Sequence, residues 1–249
     1  MFKEGTVRPR LLHEIDLVMS IQRQVDGIWI GSWYGSPEQL TRVEGALSLI
    51  KQHSPLDHAR IVRQLDRIWV RLTNYGVGEY RDNLKACILD ERYIVDSTVA
   101  VERIASTIVH EATHARIERH GIKYNEKVRT RIEAVCFRRE LAFAARLPNN
   151  AELQQSIKRC LEWCDANPDE FSDAQFRARA EAAGIEELRY LEAPDWLVRT
   201  ALIPKSTIRR LKEWSPILAF AATVSIAIVL GLAYVFATIL NPKTYFKRT

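Results

Sequence analysis

One short motif constrains the fold more than any other feature of the sequence: His110-Glu111-Ala112-Thr113-His114, which reads His-Glu-x-x-His. On a helix, residues four apart lie on the same face, one turn above the other, so both histidines can bind a single metal ion. A neutral imidazole is a good ligand for Zn²⁺, and Glu111 can reach a water molecule on that ion. A chain that uses this motif must therefore bring a third ligand to the same helix face.

Two histidines on a solvated helix surface are the alternative interpretation of so short a motif. The surroundings of the motif favour a metal site. Strand-like segments precede it, and a second predicted helix, residues 126–146, follows it with further carboxylates. This order of elements is the setting in which zinc peptidases hold their metal, so Zn²⁺ is the expected cofactor.

In this setting the motif resembles that of the zincin metallopeptidases, and more narrowly that of the gluzincins, whose third zinc ligand is a glutamate on the next helix. The resemblance covers about residues 60 to 145. It implies an α+β, zincin-like fold, in which a small antiparallel or mixed sheet packs on the active-site helix and a following helix. It also implies that His110 and His114 are zinc ligands and that Glu111 is the general base of peptide hydrolysis.

His120 is one of two candidates for the third ligand. It lies six residues after His114, the offset of the metzincin pattern, which needs a glycine three residues after the second histidine to bend the chain back. This sequence has Ile117 there, and a β-branched residue resists the left-handed turn. The helix should therefore continue and leave His120 pointing away from the metal.

Glu133 is the other candidate, and helix geometry favours it. Ala112 is the midpoint of the histidine pair. The helix continues from it for about eight residues, or about 12 Å, to its predicted end. If the next helix begins near Asn125 and runs antiparallel, about eight residues further along is Glu133. Glu126 would lie at the far end, and Glu140 would overshoot by about two turns. The sequence therefore predicts Glu133 as the third ligand, its alternative being a surface carboxylate paired with an arginine.

Several elements are expected before the motif. Apolar residues at helical spacing predict an amphipathic helix over residues 10–25, and a second helix should begin at Pro37 and stop at Pro55. Alternating apolar and polar residues predict a strand with one buried face over residues 67–72. Residues 87–95 predict a second strand pair or a tight hairpin. The zincin resemblance implies that one of these strands pairs with the substrate, without showing which.

The ends of the later helices also have sequence signals. The motif helix has N-cap candidates in Asp96-Ser97-Thr98, and Gly121 marks its end. Asn125 can cap the next helix. Three short helices are then expected, at residues 151–165, 172–184 and 194–203.

The formal net charge of +5 is unevenly distributed, because basic residues outnumber acidic ones between Arg116 and Glu140. This surplus can favour acidic substrates or an anionic membrane surface, although two solvated amphipathic helices explain it more simply. No nucleic-acid-binding motif accompanies the charge, so no nucleic-acid partner is expected. The four cysteines lack disulfide-framework spacing and no secretory signal is present, which predicts a cytoplasmic location for the main domain.

The C-terminal region is different in kind. Residues 217–240 form a segment without a charged residue, and as a helix of 1.5 Å per residue it would be about 36 Å long, against about 30 Å of hydrocarbon. A buried core helix is the alternative interpretation. We therefore expect a zincin-like domain at residues 1–148, a helical extension at 149–212 and a membrane anchor with a short tail at 213–249.

Together these features predict a zinc peptidase that acts on peptides or proteins, anchored to a membrane by one C-terminal helix and facing the cytoplasm. The main alternative is a catalytically silent, membrane-tethered binding or scaffold module, which would have no need of Glu111 as a base. A structural zinc site, closed by four protein ligands, is a third possibility. Tyr124 and His120 are the candidates for stabilising the oxyanion, and the sequence does not rank them.

The uncharged segment yields a test. We expect the full chain to stay in the membrane fraction after alkaline carbonate extraction, with its large domain accessible to protease from the cytoplasmic side. Truncation after Lys212 should release the protein. Extraction of the full chain by carbonate would contradict a membrane-spanning helix.

Overall fold

The computed structural model describes residues 20–32, 35–73 and 76–201. The contacts of the chain divide it into two compact units, Met1–Arg179 and Ala180–Thr249. Within the described residues no helix is long and apolar enough to cross a membrane. The predicted span at 217–240 lies outside the described residues, as does most of the helix predicted at residues 10–25.

The first unit is built on a five-stranded mixed sheet, which confirms the predicted α+β class and the mixed sheet. The strand order is β1-β2-β3-β5-β4. The three inner strands β2, β3 and β5 run parallel, and the edge strands β1 and β4 pair antiparallel with their neighbours. The strands are Ile21–Val25 (β1), Ile28–Ser32 (β2), Arg67–Arg71 (β3), Gly78–Arg81 (β4) and Ala86–Asp90 (β5).

Eight α-helices lie in the described residues, and the first five contribute buried side chains to the main core. They are Pro37–His53 (α1), Pro55–Gln64 (α2), Glu91–Val95 (α3), Val101–Arg119 (α4), Arg129–Ala144 (α5), Ala151–Ala166 (α6), Asp173–Tyr190 (α7) and Asp195–Ala201 (α8). Helix α4, which carries the motif, packs against α1, α2, α5 and the edge strand β4. Ile104, Ile108 and Ala115 of α4 are buried in the core beneath the sheet, so the helix is fixed along most of its length.

The central strand β3 is buried on both faces, where one buried face was predicted. Ile68 and Val70 face the main core, as the alternation requires. Trp69 points the opposite way, yet it is also buried, because it packs with Ile88 and meets the ring of Trp29 edge-on at 6.1 Å. The predicted alternation placed Trp69 on the face opposite the core, with Arg67 and Arg71, but a large aromatic side chain favours burial.

The prediction of a helix over residues 10–25 is wrong for its described end, because Ile21–Val25 is a strand. Asp26 and Gly27 have positive φ angles of 49° and 84°, as in a two-residue type I′ turn. The turn pairs Val25 with Ile28 and sets the β1–β2 register. The Asp-Gly pair was the sequence signal for this hairpin, and it outweighed the apolar spacing before it.

Two further predictions before the motif are wrong. Residues 91–95 form the short helix α3 rather than half of a hairpin, because the Asp90 carboxylate accepts a hydrogen bond of 2.8 Å from the Arg92 N–H and caps a helical turn. The chain does not pass from Pro55 directly to strands either. Pro55 is the first residue of the unpredicted helix α2, a position at which proline is favoured.

The ends of the motif helix and its successor differ slightly from expectation. Asp96 accepts from the Thr98 N–H at 2.9 Å in a local turn, so α4 begins only at Val101. Gly121 follows the helix with a φ of 80°, as predicted. Asn125 likewise accepts from the Lys127 N–H at 3.2 Å, and α5 begins at Arg129 rather than at 126.

The hairpin turn gives a stability prediction. Gly27→Ala should destabilise the protein by about 1 to 2 kcal/mol, because a residue with a Cβ resists the positive φ that this turn requires. The midpoint of urea unfolding measures the change. Gly45→Ala is the control: Gly45 lies in α1 and an added Cβ would meet Val101 at an ordinary 3.6 Å, so this variant should gain about 0.5 to 1 kcal/mol. Equal effects of the two substitutions would contradict the turn assignment.

Candidate metal centre

Helix α4 presents the two histidines of the motif toward α5. The Nε2 atoms of His110 and His114 lie 3.2 Å apart, and their ring centroids lie 5.0 Å apart. Both side chains are largely shielded from solvent. The helical spacing of four residues therefore brings the two nitrogens to one point, as the sequence predicts.

Helix α5 brings Glu133 to the same point. One Glu133 carboxylate oxygen lies 3.2 Å from Nε2 of His110, and the other lies 3.4 Å from Nε2 of His114. In a tetrahedral site with ligands about 2.0 to 2.1 Å from the metal, ligand atoms are about 3.3 to 3.4 Å apart. The two nitrogens and the carboxylate thus have the spacing of three corners of a zinc site, and Glu133 lies where helix arithmetic placed it.

A second carboxylate, that of Glu140, contacts the other nitrogen of the His110 ring. Nδ1 of His110 lies 3.1 Å from Oε2 of Glu140, and the hydroxyl of Ser106 donates to Oε1 of Glu140 at 2.6 Å. Since a carboxylate accepts hydrogen bonds, Nδ1 donates to Glu140, and Nε2 is the nitrogen that faces His114 and Glu133. Metal-binding histidines commonly have such a carboxylate partner, which fixes the ring and makes it a better ligand.

The charges of the cluster alter the pKa values of His110 and Glu133 in opposite directions. Burial alone would lower the pKa of His110, but hydrogen bonds to Glu133 and Glu140 outweigh it and hold that pKa well above its usual value. Burial alone would raise the pKa of Glu133, and hydrogen bonds to both histidines instead hold it well below its usual value. A divalent cation that bound these atoms would displace the proton from Nε2 of His110.

Glu111 points from the same helix toward the edge strand β4. A Cβ added at Gly78 would lie 3.3 Å from the Glu111 carboxylate and only 2.8 Å from Cγ2 of Thr107, so glycine permits the close approach of β4 to α4. Burial is the largest influence on Glu111 and raises its pKa above the usual range. A carboxylate with a raised pKa is a better proton acceptor, which suits a general base.

A cavity of about 320 Å³ opens over these groups, between β4, α4 and α5. The edge strand contributes three consecutive lining residues, and the cavity wall continues past the histidines to residues beyond α5. The lining residues are Gly78, Glu79, Tyr80, His110, Glu111, His114, Ile117, Glu118, Ile122, Tyr124, Ile132, Glu133 and Phe176. A ligand in this cavity would contact the edge strand, the Glu111 carboxylate and the histidine cluster together.

The structure separates the two residues that the sequence left unranked as oxyanion stabilisers. The Tyr124 hydroxyl donates to Oε1 of Glu133 at 2.6 Å and lies at the cavity wall, and burial raises its pKa so that it remains a donor. His120 is exposed at the end of α4 and lines a different cavity. Only Tyr124 of the two therefore reaches the cluster.

Cys136 is a second candidate for the third ligand, and the sequence gave no weight to it. One ligand atom from each of His110, His114 and Cys136 lies within 4.8 Å of the others. The Glu133 oxygens lie 3.2 and 3.4 Å from the histidine nitrogens, which is well inside that limit. Burial raises the pKa of the Cys136 thiol, whereas a metal binds the thiolate. We therefore favour Glu133, which is ionised already.

Sequence analysis missed the supporting residues of the cluster. Glu140 was rejected as a ligand because it lies about two turns beyond the metal. In the structure this offset places it at Nδ1, on the far side of the His110 ring. Glu140 follows Glu133 by seven residues, so both lie on the same face of α5. That spacing was the available signal. No comparable signal pointed to Ser106 or to the close approach at Gly78.

Comparison of the chain with models of protein families, with curated proteins and with solved structures finds no match. The resemblance to zincins therefore rests on residues of this chain alone. They are the His-Glu-x-x-His sequence of α4, the glutamate brought to it by α5, and the edge strand beside both.

The choice of third ligand can be tested by metal content. Glu133→Ala should abolish stoichiometric zinc binding, whereas Cys136→Ala and His120→Ala should retain it. Glu140→Gln should still bind zinc, but with an affinity lower by about ten- to a hundredfold, because it weakens the support of His110 without removing a ligand. Metal analysis and competition with a chromophoric chelator measure these effects. Zinc loss in Cys136→Ala together with zinc retention in Glu133→Ala would make Cys136 the ligand instead.

Proposed function

We propose that the chain is a zinc-dependent peptidase that hydrolyses peptide bonds in the cavity between β4, α4 and α5. The observation that carries this proposal is the triangle formed by His110, His114 and Glu133, with Glu111 beside it and an open cavity in front. Two imidazoles and a carboxylate suit Zn²⁺, and three protein ligands with an open position are typical of a catalytic rather than a structural zinc.

The substrate class follows from the edge strand. Among the described strands β4 pairs with β5 alone, and Gly78, Glu79 and Tyr80 line the cavity. An extended peptide can add to such a strand by main-chain hydrogen bonds, which hold its backbone without regard to most side chains. In this arrangement the peptide backbone passes in front of Glu111 and the histidine cluster. We therefore assign to β4 the substrate-pairing role that the zincin resemblance left open.

Each residue of the site then has a role in peptide hydrolysis. Zn²⁺, when bound, supplies a Lewis acid that acidifies water and polarises a carbonyl group. Glu111 accepts the proton of the attacking water and returns it to the leaving amine nitrogen. The Tyr124 hydroxyl at the cavity wall donates to Glu133 in this structure, and it would turn its one hydrogen toward the oxyanion. Glu140 and Ser106 hold the His110 ring in the orientation that presents Nε2.

A catalytically silent module with the same fold is the second candidate. Such a module needs no buried base, yet Glu111 is 6% exposed and its carboxylate lies beside the edge strand in the cavity. Burying an ionisable carboxyl group destabilises the fold, and a binding module gains nothing from this group in return. This observation favours the enzyme.

The proposal includes the membrane anchor expected at residues 217–240 and a catalytic domain that faces the cytoplasm. The anchor lies outside the described residues, and its support is the uncharged sequence of that segment. A peptidase held in this way would meet its peptide or protein substrates close to the membrane surface.

The base can be tested without disturbing the metal. Glu111→Gln should retain zinc and lose about a hundredfold or more of the cleavage rate on a mixed peptide library, because an amide cannot accept the proton from water. Glu102→Gln removes the same charge near the start of α4, away from the cavity, and should cleave at the rate of the unmodified chain. Cleavage by Glu111→Gln at that same rate would contradict the proposal.

A further inference from the structure

A second cavity, of about 500 Å³, lies against the other side of α4. Val109, Ala112 and Arg116 of α4 line it, and at about 100° per residue these positions face away from His110 and His114. Helices α2 and α5 supply most of the remaining wall. The cavity shares only Ile117 and Ile122 with the cavity over the histidines, so the two are neighbours with separate linings.

The lining of this second cavity carries an excess of positive charge. Its ionisable residues are Asp57, Arg60, Arg116, His120, Arg138 and Arg139. Asp57 is 3% exposed and accepts hydrogen bonds from Arg139 at 2.8 Å and from Arg60 at 3.2 Å. One carboxylate cannot neutralise four guanidinium groups, so the cavity has a positive potential that attracts anions.

Two of these arginines are available to a ligand. Arg116 of α4 and Arg138 of α5 are exposed, and neither guanidinium has a hydrogen bond or ion pair with any residue in the described part of the chain. The planar guanidinium group binds carboxylate and phosphate oxygens in pairs, through two parallel hydrogen bonds. Part of the surplus of basic residues noted in the sequence therefore lines this cavity, on the two packed helices α4 and α5.

Apart from Thr113, the rest of the wall is apolar. Ile61, Val109, Ala112, Val135 and Ala142 line the cavity, and they come from three helices. Val135 remains 46% exposed on α5, although it is a large apolar side chain. Removing such surface from water is favourable, so an apolar group in the cavity gains free energy that a small inorganic ion cannot gain.

We propose that this cavity binds a single-chain amphiphile with an anionic headgroup, a phosphate or a carboxylate. The headgroup pairs with Arg116 and Arg138, and the alkyl chain covers the exposed apolar side chains of the wall, Ile122, Val135 and Ala142. A bare anion would leave the apolar wall in contact with water, and a neutral amphiphile would leave the guanidinium groups without a partner. The cavity volume lies within the range of sites that enclose small ligands. The proposal does not depend on peptidase activity.

Calorimetric titration of the full chain with decyl phosphate below its micellar concentration tests this inference. Decyl phosphate should bind, and the double variant Arg116→Gln/Arg138→Gln should weaken the affinity roughly tenfold or more, because it removes both charge-assisted pairs. Arg131→Gln/Arg177→Gln changes the net charge equally at exposed arginines outside the cavity lining, and it should bind like the unmodified chain. Inorganic phosphate and decyl maltoside should each bind at least tenfold more weakly than decyl phosphate.

Each of the other results would overturn the inference. Equal loss in both double variants would show a long-range charge effect rather than a site. Equal affinity for decyl maltoside would show a purely apolar contact, and equal affinity for inorganic phosphate would show a site for an anion alone. Binding to vesicles of phosphatidylcholine with phosphatidic acid through Arg116 and Arg138, without binding of monomeric decyl phosphate, would indicate a membrane-surface contact instead.

Discussion

The packing of α5 against α4 is the contact on which the candidate site depends. It brings two carboxylates of one helix to opposite sides of a single imidazole: Glu133 at Nε2 of His110 and Glu140 at Nδ1. Glu133 and the histidines supply the donor atoms, and Glu140 fixes which nitrogen of His110 is a donor atom. A shift of α5 by one turn, about 5.4 Å, would remove both carboxylates from the ring.

Two cavities lie against α4, one on each of two faces, because a 3.6-residue period separates the residues of the helix into distinct faces. His110, Glu111 and His114 face a cavity bordered by the edge strand, and Val109, Ala112 and Arg116 line a basic, apolar-walled cavity. The buried residues between these faces hold the helix rigidly on the sheet. A rigid helix keeps ligand atoms at fixed distances, which is what a metal site requires and a mobile loop does not provide.

The sequence predicted best where a fixed period relates residues within or between helices. The pairing of His110 and His114 follows from the helical repeat. The position of Glu133 follows because equal numbers of residues lead from the turn back to each half of the site along two antiparallel helices. The prediction failed where capping chemistry or a turn decided the structure. Asp90 starts a helix where a hairpin was expected, and Asp26-Gly27 makes a hairpin where a helix was expected. Contacts such as that of Ser106 with Glu140 depend on side-chain geometry that no periodicity encodes.

We propose that this chain holds a metal ion with two imidazoles and one carboxylate, and with one coordination position left for chemistry. X-ray absorption at the zinc edge of the zinc-loaded full chain tests it most directly, because nitrogen and oxygen ligands scatter at about 2.0 to 2.2 Å and sulfur at about 2.3 Å. We expect one zinc per chain, with nitrogen and oxygen neighbours alone. A sulfur neighbour from Cys136 would contradict the assigned ligand set, and failure to bind zinc would contradict the metal centre itself.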